Sequence, residues 1–441
     1  MNDQVTTPST NNGSSRFWQP VDQLTLADQP PLSNDDTAET ASILKTVVAA
    51  FMPELSPGQV EDAIQIALAN TFKQKKLATW VTFDHVLGHE DDPASEVSFG
   101  EMFHGATMTL ADIASLLMTT FADKLITTQH VFVSTNPDLL IALGHQLTSA
   151  QKLLGIVDGS QLDTFRQIEL NAIADQANCQ IFDSSSPTTA CVELTSHENL
   201  QVVDVDELLS LMPVVAALRQ LLVDAPTNQP LDLAIDADHL ELAVAAGYAN
   251  TLNSAGTQFG HINVSTLAQT PFARLIAGES VRLPQATQHL LNALMHQLLP
   301  DATPSIEFDA GQLQRLMTAQ DFCTFEVVFK GQAKQTIKQF QMATNYTIGV
   351  TTAVAATPLL LANKKSDHKQ LVIAPLDAYL TPEFVLESIT GRDDGKRDFE
   401  SIQILRQIIN AKPPRAMTRL KSIELAPIPP LDLDEIHTWL N

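Results

Sequence analysis

Apolar residues recur along this chain with helical and with alternating spacing, and the exchange between the two predicts where helices and strands fall. Residues 1–38 show neither: Asn, Ser, Thr, Pro, Asp and Gln dominate, which predicts a mobile tail with a short ordered part at Phe17-Trp18. From Thr40 a helical stripe of Ala41, Leu44, Val47, Val48 and Phe51 begins, and Pro53 stops it. Ser56-Pro57-Gly58-Gln59 is a helix start, with serine as N-cap, proline at the first helical position and glutamine placed to close a capping box. That helix carries Val60, Ala63, Ile64 and Ala67 on one face and runs to about Phe72. A strand-like segment through Phe103-His104-Gly105 then leads into a stripe of Leu110, Ile113, Ala114, Leu117, Met118 and Phe121. These fall at i, i+3, i+4, i+7, i+8 and i+11, the apolar face of a buried helix, with Thr109 as its cap and Asp112 answering three residues on.

Beyond it, short apolar strands alternate with amphipathic helices, the signature of parallel sheets with crossover helices. His130–Ser134, Leu153–Val157 and Cys179–Phe182 read as strands, with helices over Pro137 to about Ser149 and Leu162 to about Ala177. Asp204–Leu222 is a long apolar helical stretch, kinked or restarted at Pro213, and Leu231–Ile235 a strand feeding a helix through Gly247-Tyr248. Residues 270–341 read as largely helical, with stripes over 285–299, 310–319 and 331–342 and short extended segments at Ile306–Phe308 and Thr324–Phe329. Phe399–Ile409 is a last helix, and a proline-rich end lies along the surface. The fold class is α/β, with parallel sheets flanked by helices. The expected divisions are a tail (1–38), an N-terminal helical subdomain (39–100), a smaller α/β domain (101–215), a larger α/β domain (216–392) and a C-terminal helix with extended tail (393–441).

Composition narrows the function classes. A chain of 441 residues, 44% hydrophobic and 17% charged, has ample apolar material for a folded core. Its formal net charge of -25 argues against nucleic-acid partners and anionic membrane surfaces, because the long-range field repels both. Cys179, Cys191 and Cys323 are widely spaced, lack a CxxC and fit a reducing compartment. No basic and apolar leader opens the chain, and the mostly apolar stretch Ile348–Ala362 is broken by threonines and Pro358 and too short to span a bilayer. The expectation is a cytoplasmic protein with an unknown small-molecule or protein partner, no nucleic acid and no membrane, as monomer or homodimer. His85 and His89 form an i, i+4 pair beside Glu90, Asp91 and Asp92, but Gly88 and Pro93 make the stretch a poor helix, so no metal is expected.

The stretch ending at Asp112 carries a resemblance. Phe103, His104, Gly105, Thr107 and Asp112 match the E-L-F-H-G-P-T-L-A-F-K-D motif of the threonine synthases, pyridoxal-phosphate (PLP) enzymes of fold type II, with Ala106 replacing the proline. Tyr346–Val354 resembles their Y-x-L-D-P-H-T-A-V, keeping Thr352, Ala353 and Val354 but holding Gly349-Val350-Thr351 for Asp-Pro-His. Val372–Leu380 is similar to L-A-T-A-H-P-A-K-F, with Tyr379 at the lysine. In order and spacing the likeness covers roughly residues 40 to 392. It implies a tryptophan-synthase-β-like architecture and a vestigial pocket of Phe103, His104, Thr107, Ala111, Asp112, Asn136 and Thr352, the last facing a pyridine nitrogen if a ring were bound.

The departures fall on the chemistry. Ala111 stands where the family has the lysine that forms the internal aldimine, and a methyl group neither bonds a carbonyl carbon nor moves protons. The S-G-D-T-G loop for the substrate carboxylate reads Ser134-Thr135-Asn136-Pro137-Asp138, a plain helix start with Asn136 as N-cap. The glycine-rich phosphate loop reads Ala237-Asp238-His239-Leu240-Glu241, placing carboxylates where a dianion would sit. Lys124 and Lys152 are the next lysines downstream, and Lys124 lies roughly 20 Å along a helix from Ala111, at about 1.5 Å per residue. His104, near the cofactor in the family, becomes a packing or hydrogen-bonding residue. Two readings follow: an inactive homologue with no catalytic residue, no PLP and a binding or regulatory role, or a PLP-dependent lyase making threonine from O-phosphohomoserine through a rebuilt site.

Overall fold

The computed structural model describes residues 19–23, 39–71, 76–83, 96–125, 131–195, 200–227, 229–252, 257–299, 308–318, 323–361 and 368–440. Helices α1 (Thr40–Phe51) and α2 (Pro57–Thr71) form the expected pair. Gln59 closes the box, its Oε1 accepting from Ser56 N while Gln59 N donates to Ser56 Oγ (3.3 and 3.4 Å). Next come β1 (Thr79–Phe83), β2 (Val97–Glu101), α3 (Ala111–Ala114) and α4 (Met118–Leu125).

A small α/β unit follows: β3 (Val131–Ser134), α5 (Pro137–Gly144), β4 (Lys152–Val157), α6 (Thr164–Ala174), β5 (Cys179–Asp183), α7 (Pro187–Thr195) and β6 (Leu200–Val202). Its four strands are parallel, in the order β5-β4-β3-β6. The larger unit contains α8 (Leu208–Asp224), β7 (Leu231–Asp236), α9 (Glu241–Leu252), β8 (Phe259–Leu267), α10 (Pro271–Ile276), α11 (Gln285–Leu298) and α12 (Ala310–Thr318). It continues through β9 (Cys323–Val328), α13 (Lys330–Thr344), α14 (Val350–Leu361), β10 (Lys369–Ala374) and α15 (Pro382–Thr390). Its six strands run β1-β2-β10-β7-β8-β9, all parallel except the β1–β2 pair. The C-terminal part holds α16 (Asp398–Ile409), α17 (Arg415–Leu420) and α18 (Leu433–Leu440).

Helix α8 is the pillar of this arrangement. Every residue from Leu208 to Leu222 is buried, Pro213 included, so the helix is apolar on all sides, as expected of one enclosed in a core. It packs against α1, α3 and α9. Its buried Gln220 is satisfied from outside the helix, Oε1 accepting from Leu77 N at 2.9 Å and Nε2 donating to Thr40 Oγ1 at 3.2 Å. One amide side chain thus ties the start of α1 and the approach to β1 to the pillar.

Several expectations are corrected. The strand through Phe103-His104-Gly105 ends earlier, at Glu101, and Met102–Leu110 is an irregular loop. The single helix expected over Leu110–Phe121 is two pieces with a turn at Ser115–Leu117, where Ser115 Oγ donates back to Ala111 O at 2.8 Å and competes with helix continuation. Residues 39–100 are not purely helical, because β1 and β2 join the larger sheet. Strands β1, β6 and β8 have no counterpart among the expected elements, and α8 begins at Leu208 rather than Asp204. Within the expected tail, Val21–Gln23 form a helical turn whose Val21 is buried and donates its N–H to Asp206 O at 2.9 Å. Phe17, Trp18, His130, Ile306 and Glu307 lie outside the described residues. The proline-rich end bears two helices and buries Met417, Leu420 and Ile436.

Beneath β2, Phe99 stacks edge-on against Phe340 of α13 (centroids 5.2 Å) and is fully buried. Phe99→Ala is expected to cost about 3–5 kcal/mol of unfolding free energy, as a buried aromatic leaves a cavity. Urea denaturation at fixed pH measures it.

Candidate functional site

The loop between β2 and α3 is placed by hydrogen bonds to another loop. Leu110 N donates to Pro375 O (2.7 Å) and Asp377 N to Met108 O (3.1 Å), so Met102–Leu110 lies against the segment leaving the C-terminal end of β10. Met108 takes a left-handed conformation there, φ 60°. Carboxyl ends of parallel strands are where α/β folds place their ligands.

Asp112 fixes the loop from inside. Its Oδ2 accepts both the N–H (2.9 Å) and the hydroxyl (2.7 Å) of Thr107, and Thr107 Oγ1 also meets Thr109 Oγ1 at 2.8 Å. The expected capping box is therefore absent: Thr109 Oγ1 accepts from Ala111 N at 3.2 Å, but Asp112 faces back to Thr107. Gly105 makes this possible, since a Cβ there would lie 2.3 Å from Asp112 Cγ. Burial pushes the Asp112 carboxyl up to about 6, against the lowering effect of the Thr107 hydrogen bonds. Ala111 sits at the head of α3, 8% exposed, its methyl among buried neighbours.

A second network, unmarked as a site by sequence reasoning, borders the first. Glu101 at the end of β2 bridges His104 Nε2 (2.9 Å) and the Tyr346 hydroxyl. Burial, then the Glu101 charge, raises the Tyr346 pKa, so the phenol donates to the carboxylate. Asp377 stands near both Glu101 and His104, and burial lifts it to about 6. The signal available for this network was positional: Glu101 and Tyr346 both lie inside the stretches that resemble the family. Phe103 stacks on His104 with ring centroids 4.8 Å apart.

Asn136 and Asp138 are on the neighbouring helix α5, which packs against α3. Asn136 is the N-cap as expected, Oδ1 accepting from Asp138 N and Leu139 N (3.1 and 3.2 Å). The amides that would bind an anion are thus occupied by the chain itself. Asp138 is held by the Arg166 fork of α6 through Nε and Nη2 (2.6 and 2.8 Å). A crevice of about 20 Å³, room for a single water, remains between Thr107–Thr109, Asp138, Phe165, Arg166 and Leu420.

The turn after β7 is acidic in space as in sequence. Asp236 Oδ1 accepts from Asp238 N (3.0 Å), and His239 Nδ1 meets Glu241 Oε1 (3.0 Å). Burial, then the Asp238 charge, raises Asp236 to about 8. Burial alone would lower His239, but the Glu241 hydrogen bond and the surrounding acids carry it to about 9. Nearby, burial and then Asp206 lift Asp204 to about 7. Thr352, in the first turn of α14, is buried, and its Oγ1 has no hydrogen-bond partner among the described residues. Gly349, just before that helix, lies close to Ala378, two residues beyond Leu376, which bridges Thr109 of the motif loop. Among the described residues no group of acids, histidines and cysteines is arranged to hold a metal; His85 and His89 lie outside them.

No family model matches this chain, and no curated protein matches it by sequence. Solved structures do match. Threonine synthase from yeast superposes with a TM-score of 0.67 at 13% identity, over 95% of this chain and 93% of that one. PLP-bound threonine synthase from Brucella melitensis gives 0.66 at 12% identity, over 93% and 91%. Threonine synthase from Escherichia coli gives 0.61 at 14% identity, over 91% and 88%. The fold is that of threonine synthase and of fold-type II PLP enzymes. No helix among the described residues is long and apolar enough to cross a membrane.

Against PLP itself the residues divide unevenly. The orphaned Thr352 hydroxyl suits a ring nitrogen. Ala111 offers no amine, and in the turn after β7 the Asp238 amide is already bonded to Asp236. The donor set as a whole does not fit the group.

Two outcomes follow. Gly105→Ala forces a methyl into the Asp112 carboxylate and is expected to lower Tm by several degrees, about 1–3 kcal/mol, as overpacking does. Stability is also expected to fall as pH rises from about 5 to 9. Asp112, Asp377, Asp204 and Asp236 hold protons in the folded state up to about 6, 6, 7 and 8, whereas the unfolded chain releases them near 3.8. His239 has the same sign: its contribution is whole below 6.5 and is lost as pH passes about 9. Melting curves across that range measure the slope.

Proposed function

We propose that this chain is a threonine synthase-like protein that no longer binds PLP covalently and serves a binding or regulatory role. The observation that carries the reading is Ala111. It occupies the buried head of α3 directly before Asp112, in register with the motif, and supplies a methyl group where the chemistry requires an amine. Two further features support it: Asn136 caps α5 with its own side chain, and buried acids line the turn after β7. Losses at three stations that act together compound, because each serves the same reacting molecule.

The second reading, a PLP-dependent carbon–oxygen lyase of threonine synthase type with a displaced lysine, draws on the unpartnered Thr352 hydroxyl. One titration separates them. Purified protein mixed with PLP is expected to show no visible aldimine band and no labelling after borohydride; a band abolished by replacing one lysine would establish the second reading. Ala111→Lys is expected to remain free of tightly held PLP, because the turn after β7 has no glycine and its Asp238 amide is already bonded to Asp236. Retention of the cofactor by that variant through gel filtration would show that the turn tolerates a dianion.

A further inference from the structure

The segment after α16 is expected from its prolines to lie loosely on the surface, yet it makes a continuous set of specific contacts from the larger unit to the smaller. It leaves the larger unit where Tyr379 Oη donates to Ala411 O at 2.8 Å. Helix α17 then presents Met417 and Leu420, both 1% exposed, to an apolar cluster that also holds Met108 of the motif loop, Phe165 and Ile168 of α6, and Tyr379. Leu420 itself walls the crevice beside Thr107–Thr109 and Arg166. Arg419 reaches α6, donating through Nη2 to both oxygens of Glu169 at 3.1 Å.

From there the chain crosses the smaller unit. Ala426 O accepts from Gln167 Nε2 and Asn171 Nδ2 (3.1 and 2.9 Å). Asp183 N donates to Pro429 O and Leu431 N to Asp183 O (2.7 and 3.0 Å), so residues 429–431 pair along β5, the edge strand of the four-stranded sheet. Helix α18 seats the fully buried Ile436 in the cluster of Leu154, Phe182 and Ala190, on the outer face of that sheet. Lys152 Nζ donates to Trp439 O at 2.6 Å and sits 5.0 Å above the Trp439 ring, and Trp439 Nε1 donates to Ala177 O at 3.4 Å.

We propose that residues 411–440 are a clasp that holds the two sheet units closed over the crevice, so that the crevice opens only when α17 lifts. Three anchors in series support this: an apolar plug at Met417 and Leu420, a strand-edge pairing at 429–431, and a latch at Lys152–Trp439. The plug touches the motif loop and α6 together, so lifting it uncovers Thr107–Thr109 and Arg166 at the same moment. A passive coat would bury apolar side chains on one unit only. This segment buries them against both, and its backbone carbonyls accept from Tyr379 of the larger unit and from Gln167 and Asn171 of the smaller.

Hydrogen exchange on the full-length chain, read by mass spectrometry, tests it with two variants. Leu420→Asp places a charge in the plug. It is expected to speed exchange at least tenfold in 105–111 and 163–171, while β7 and β10 keep their rates; Leu420→Met is expected to keep the protection. Trp439→Ala loosens the latch far from the crevice, and in a clasp that acts as a unit it too speeds exchange in 105–111. If Leu420→Asp does not fold, the Trp439→Ala result decides alone. Unchanged exchange in 105–111 when 431–440 is freed, or equal acceleration in β7 and β10, would overturn the clasp and leave a segment that serves local packing or general stability.

Discussion

A single carboxylate holds the centre of this molecule together. Asp112, at the start of α3, takes both the amide and the hydroxyl of Thr107, and the loop it grips is the one that lies against the end of β10. The contact requires Gly105, because any side chain there would occupy the volume of the carboxylate. Remove the acid and a buried amide loses its partner, the loop loses its seat, and the surface shared by the two sheet units loses its shape. Its raised pKa follows from the same geometry: few donors face Oδ1, and burial favours the protonated form.

The same pattern recurs at two other turns. At α5 the side chain of Asn136 takes the helix-terminal amides, and at the turn after β7 the side chain of Asp236 takes the amide of Asp238. Arg166, the strong cation at the crevice, is held by Asp138 and Asp163. Backbone and guanidinium groups of this kind bind anionic ligands in α/β folds when they are left open. Here the chain supplies its own acceptors at these positions, while the Thr352 hydroxyl and Asp112 Oδ1 have no hydrogen-bond partner among the described residues.

Much of the architecture was legible in linear order. The stripes of α1, α11 and α13, the cap at Ser56, the N-cap at Asn136 and the strands β3, β4, β5 and β7 follow from periodicity and local chemistry, and each depends on residues within a few positions of one another. The break at Ser115, the early end of β2 and the missed strands were less accessible. Ser115 turns its hydroxyl to a carbonyl four residues back only because the surrounding loop is held elsewhere, and β1 is a strand only because β2 offers it an edge. Glu101, Tyr346 and His104 form one network although 245 positions separate the outer pair, and periodicity carries no information at that range.

By itself the sequence showed that the chain alternates strands and helices, that it carries a motif similar to one from a PLP fold, and that position 111 within that motif is an alanine, because those facts concern residue identity and local spacing. The tertiary structure alone decided that Asp112 faces Thr107 instead of closing a helix cap, that Asp236 at the end of β7 is buried with its pKa raised, and that the proline-rich end packs on both sheet units. Such outcomes depend on which distant groups share a small volume away from water, where one hydrogen-bond partner changes the energy of a charge by more than any local propensity does.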